Sequence, residues 1–73
     1  MLSNFKKITL SVIGDKKEKV YKSEKTIGEI EKKLDKEEIN LAEAMNRLKS
    51  VFRYNLSHED YRKIEKEVSY NIH

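Results

Sequence analysis

The sequence predicts an α+β domain, an N-terminal β-hairpin followed by three short α-helices in the order ββααα. Three observations point there. Aliphatic residues alternate near the start, a Gly-Asp pair interrupts them, and three helix-start signatures follow in the rest of the chain. The division is a basic hairpin over 1–22 and a helical part over 23–73 of a single small domain.

Residues 5–13 read Phe-Lys-Lys-Ile-Thr-Leu-Ser-Val-Ile, with Ile8, Leu10 and Val12 alternating with Lys7, Thr9 and Ser11. Side chains at i, i+2 and i+4 of a strand share a face, so this period of two predicts a half-buried strand. The β-branched Ile8, Thr9, Val12 and Ile13 suit a pleated surface. A helix through Leu2, Phe5, Ile8 and Val12 is the competing reading. Gly14 can supply the positive φ of a hairpin loop. Residues 18–22 then return as a second, edge strand, with Val20 and Tyr21 its apolar positions and lysines guarding the edge.

Thr26 with Glu29 forms a capping-box pattern, and Ile27, Ile30 and Leu34 follow at helical spacing, which predicts a helix near 24–36. Gly28 inside it weakens that helix by roughly 1 kcal/mol. Asn40 and Glu43 repeat the pattern, with Ile39 and Ala44 at the positions of a hydrophobic staple. Leu41, Met45, Leu48 and Phe52 form the stripe of a second helix, about 41–54. Ser57 and Asp60 give the third version, flanked by Leu56 and Tyr61. Tyr61, Ile64, Val68 and Ile72 line a third helix, about 58–71. The predicted core is Ile8, Leu10, Val12, Ile30, Leu34, Leu41, Met45, Leu48, Phe52, Tyr61, Ile64 and Val68. The stretch 27–50 resembles the short two-helix hairpin found at the C-termini of many bacterial proteins. Glu38 stands where that hairpin usually has a glycine.

With 73 residues and no cysteine, the chain has room for one thin core and no disulfide to reinforce it. Domains this small often gain stability from a partner. Hydrophobic residues make up 37% and charged residues 40%, and their periodic arrangement argues for a folded chain over a disordered one. No apolar run reaches membrane-spanning length, and Met1 to Lys7 lack a signal-peptide core, so a cytoplasmic protein is expected. The net charge is +3, and the excess sits in residues 1–22, at +4.

The sequence offers little for catalysis. Its two histidines, His58 and His73, stand apart, and the serines lack a plausible base and orienting acid. Two glycines make no phosphate-cradling loop. No catalytic residue, metal ligand or cofactor site is expected, and the carboxylates on helix faces read as solvated surface charge. Nucleic acid is the sharper idea. Lys6, Lys7, Lys16, Lys17, Lys19 and Lys22 cluster on the predicted hairpin with Tyr21, and a basic ribbon can enter a groove and neutralise phosphates. Against it, the hairpin has no arginine, the third helix opens with Ser-His-Glu-Asp, and such lysines commonly serve only to solubilise an edge. Protein binding is favoured by amphipathic helices beside an exposed edge. Tyr21, Tyr54 and Tyr70 suit an interface, although a tyrosine can equally rim its own core.

The sequence therefore leads to a small non-enzymatic regulatory or inhibitory protein that occupies the surface of a larger protein, with a homodimer as a further assembly. By analogy of size and composition it is like chains that phages and mobile elements use against host proteins or defences. The alternative is a nucleic-acid-binding accessory or transcription-regulating factor acting through the lysine hairpin.

Overall fold

The computed structural model describes residues 3–14, 17–52 and 56–72, with the side chains of 17–23 left out. Four helices account for most of them: α1 (Phe5–Ile13), α2 (Lys17–Asp35), α3 (Leu41–Val51) and α4 (His58–Ile72). There is no strand among the described residues. The expected N-terminal hairpin is therefore replaced by α1 and the first part of α2, and the fold is all-α.

The reason lies in which residues of 5–13 meet the rest of the chain. Phe5, Ile8, Thr9 and Ile13 are buried, and their spacing of three, four and eight is that of one helix face. Leu10 and Val12, two of the three expected strand residues, are only partly buried. Of the alternating Ile8, Leu10 and Val12, only Ile8 belongs to that buried stripe. Its β-branched residues tolerate a helix at small cost once tertiary packing selects it. Gly14 has φ −54°, so it does not take the left-handed conformation that a hairpin asked of it. Residues 18–22, expected as the second strand, lie inside α2.

At 19 residues, α2 is roughly 28 Å long, close to the 29 Å of the longest extent. Thr26, expected as a cap, sits exposed in its interior. The charged run around it is helix surface. Gly28 stays helical, and a Cβ built there would lie 3.9 Å from the Lys6 side chain, an ordinary contact.

α1 packs on α2 and α4, and α3 packs on the same two. Within the described residues the diagonal pairs α1–α3 and α2–α4 do not pack on each other. The four helices thus close a ring around one core. Phe5, Ile27, Leu34, Met45, Leu48, Ile64 and Val68 are its largest fully buried apolar side chains. Ile8, Ile13, Ile30, Ile39, Ala44 and Phe52 complete it. Leu10, Val12, Leu41 and Tyr61 lie partly buried at its margin. The 11.0 Å radius of gyration matches the roughly 11 Å of a compact chain of this length.

The α2–α3 connection is closed from both sides. Glu38 N–H donates to Lys33 O at 2.9 Å and Glu37 N–H to Leu34 O at 3.0 Å, the two bonds of a Schellman ending. Its left-handed residue is Glu37, with φ 61°. The position that favours glycine is therefore one residue before the Glu38 to which the two-helix resemblance assigned it. Asn40 then caps α3. Its Oδ1 accepts from Glu43 N–H at 2.8 Å, and Asn40 N–H donates back to the Glu43 carboxylate at 3.4 Å. Ile39 and Ala44 are both buried, as a staple requires. Ser57 Oγ similarly accepts from Asp60 N–H at 3.1 Å at the start of α4.

Two substitutions test this packing. Glu37→Gly relieves a left-handed non-glycine and should stabilise the fold by about 0.5–1 kcal/mol in urea unfolding. No gain would show that residue 37 is not left-handed in solution. Thr9 is fully buried and its hydroxyl has no hydrogen-bond partner. Thr9→Val keeps the shape and removes the unpaired group, so a gain of about 1 kcal/mol is expected. A loss of stability would mean that the hydroxyl is bonded.

Candidate functional site

The site begins with how the start of the chain is anchored. Ser3 is buried, and its N–H donates to Asp35 Oδ1 at 2.8 Å, at the end of α2. Phe5 N–H donates to Ser3 Oγ at 3.2 Å, and Lys6 N–H to Glu31 Oε1 at 3.0 Å. The Glu31 carboxylate thus satisfies an amide in the first turn of α1, where negative charge is favoured, and Asp35 holds the residue that leads into it. Asn4, left-handed at φ 57°, donates from Nδ2 to Asn71 Oδ1 at 3.0 Å. Asn71 Nδ2 in turn donates to Glu67 O at 3.0 Å. The start of α1 therefore ties the end of α2 to the end of α4.

Where they are described, the expected lysines fall on helices and not on a hairpin. Lys6 pairs through Nζ with Glu24 at 3.3 Å and lies across Gly28. Lys7 is exposed on α1. Lys17, Lys19, Tyr21 and Lys22 belong to α2, while their side chains lie outside the description. Lys16 and Tyr54 also lie outside the described residues. The two-stranded ribbon that was to carry these lysines does not exist. Tyr70 is described, and it stands out from α4 with 71% of its surface exposed.

Where the ends of α2 and α4 come together with the start of α3, they leave an open groove of about 570 Å³. Leu34, Ile39, Leu41 and Ile72 supply its apolar lining. Glu37, Glu38 and Glu43 lie along it, and no cationic side chain among the described residues lines it. Leu34 and Ile39 are buried in the core, so the groove floor is continuous with it. The Schellman ending and the capping box bracket the same five residues of connection, so the groove wall is held by satisfied backbone and is formed before anything binds.

A second groove continues from the first along α3 and α4, sharing Leu41 and Ser69 and adding Ala42, Arg62, Glu65 and Lys66. Arg62, Lys63 and Lys66 are exposed with Tyr70 on the outer side of α4. None of these cations has an ion-pair partner among the described residues. The molecule thus carries an acidic, apolar-floored groove at one place and, on the outer side of α4, Arg62, Lys63 and Lys66 interspersed with Glu59 and Glu67 and ending in an exposed aromatic.

Sequence reasoning placed Leu34 and Leu41 in the core and Glu43 in a cap. It missed the groove because the groove arises from the meeting of residues 34–43 with residues 69–72, which no local pattern records. No group of three or more histidine or carboxylate side chains placed to hold a metal occurs among the described residues. No described helix is long and apolar enough to cross a membrane. Comparison with known proteins finds no matching family model, no similar curated protein and no similar solved structure.

The cap that frames the groove can be tested directly. Asn40→Ala should cost about 1 kcal/mol of stability, whereas Asn40→Asp should cost little, as measured by urea unfolding. Equal losses would show that the side-chain oxygen of residue 40 does not cap α3.

Proposed function

We propose that the protein is a small non-enzymatic binding protein that regulates or inhibits a larger protein by docking on its surface through the groove between the α2–α3 connection and α4. The observation that supports this most is the apolar lining of the partly buried Leu41 and Ile72 beside the buried Leu34 and Ile39, within a frame whose backbone is already hydrogen-bonded. A preformed concave surface costs little ordering on binding, and apolar lining supplies the driving force. Among the described residues the groove is lined by carboxylates and Ser69 beside its apolar side chains, which suits recognition of a surface. Its glutamates would repel phosphates, so a protein surface is the better match than a nucleic acid. The likeness to chains of mobile elements rests on composition and plays no part in this reading.

The test is capture from cells of the source organism with three immobilised chains. These are the wild type, a Glu37→Lys/Glu38→Lys double variant, and a Lys25→Glu control at an exposed position of α2. The wild type and the control should recover the same stoichiometric protein, and the double variant should recover little of it. Equal recovery by all three would move the docking surface elsewhere, and recovery of no protein would remove the reading.

A further inference from the structure

We infer that a second copy of this chain is an occupant of the groove, with Tyr70 of each protomer seated in the groove of the other in a two-fold dimer. The inference rests on the groove being a docking surface, and it names one molecule that fills it.

Both halves of such a contact are present on one chain. Tyr70 is the only large hydrophobic side chain exposed among those described. Tyrosine suits a wet-rimmed interface because its ring is apolar and its hydroxyl can remain solvated. Lys66 and Lys63 precede it by four and seven residues, so all three share a face of α4. That face presents an aromatic anchor with two exposed cations close to it, the partly buried Glu67 beside them and the exposed Glu59 one turn before Lys63. The groove presents the complement, an apolar lining from Leu34, Ile39, Leu41 and Ile72 with Glu37, Glu38 and Glu43 along it. Opposite charge on the two surfaces favours this pairing and opposes groove-to-groove contact between two acidic surfaces.

The geometry also suits two-fold symmetry. An isologous interface requires donor and acceptor on the same side of one molecule, so that each contact is made twice. Tyr70 and the groove residues Ser69 and Ile72 belong to the same last turns of α4. Two copies related by a two-fold axis near this end would exchange tyrosines while their lysines meet the partner's glutamates. The surface involved is modest for a molecule of 5344 Å². The dimer would be weak and dependent on concentration and salt, with a Kd on the order of 10–100 µM. Self-association would then cover the groove, and a protein partner would have to compete with the second copy.

Sedimentation equilibrium of the full chain decides the matter, from about 1 µM to about 1 mM, a range that brackets the Kd suggested for a small interface. The wild type should rise from the 8.7 kDa chain mass towards twice that value. Added salt should shift the rise to higher concentration. Tyr70→Ser should weaken association at least tenfold, as loss of a central aromatic anchor does. Glu37→Lys/Glu38→Lys should weaken it as well, and so should Lys63→Glu/Lys66→Glu. The chain with all four reversals should associate again, a rescue that a change in folding would not produce. A wild type that stays at the monomer mass would overturn the inference. So would a dimer indifferent to Tyr70→Ser, or charge reversals that do not rescue one another. A monomeric wild type that still captures a protein through the groove would overturn the dimer alone and leave the proposed function standing.

Discussion

A helix of nine residues does not persist by itself in water, because nucleation is unfavourable and few backbone bonds follow it. α1 exists because Phe5, Ile8, Thr9 and Ile13 are buried against α2 and α4 and because its first amides are received by Ser3 Oγ, itself tied to Asp35, and by Glu31. The rest of the architecture depends on that docking. α2 and α4 do not pack on each other among the described residues, so α1 on one side and α3 on the other hold them in place. A chain of this size has a net stability of roughly 4–11 kcal/mol. Emptying the Phe5 site alone would cost about 3–5 kcal/mol, a large share of the total.

The same docking shapes the groove. Ser3 bonds to Asp35, the residue after the groove residue Leu34. Asn4 bonds to Asn71, the residue before the groove residue Ile72. The start of α1 therefore fixes the spacing between two groove walls that have no direct helix-to-helix contact. Function, on this reading, is a property of the closed ring and belongs to no single segment.

The helical two-thirds of the chain could be read from its sequence because its signals are local. The reciprocal bonds of Asn40 and Glu43, the Ser57 cap, and the separate stripes Met45–Leu48 on α3 and Ile64–Val68 on α4 each involve residues within a few turns of one another. The first third could not, because its signals are ambiguous at short range. Ile8, Leu10 and Val12 satisfy a period of two, while Phe5, Ile8, Thr9 and Ile13 satisfy a helical one. Only burial against α2 and α4 chooses between them. Thr26 and Glu29 show the opposite failure, a capping pattern that appears inside a helix already begun at Lys17. The groove was invisible for a further reason, since Leu34 and Ile72 are separated by most of the chain and meet only in the fold.

The central claim is that residues 5–13 form a helix docked on α2 and α4, and NMR of the labelled chain tests it most directly. The account calls for downfield Cα shifts throughout 5–13, slow exchange of the Lys6 amide, and NOEs from the Phe5 ring to methyl groups of both α2 and α4. Upfield, strand-like Cα shifts in this segment, or a Phe5 ring without long-range NOEs, would contradict it and remove the groove with it.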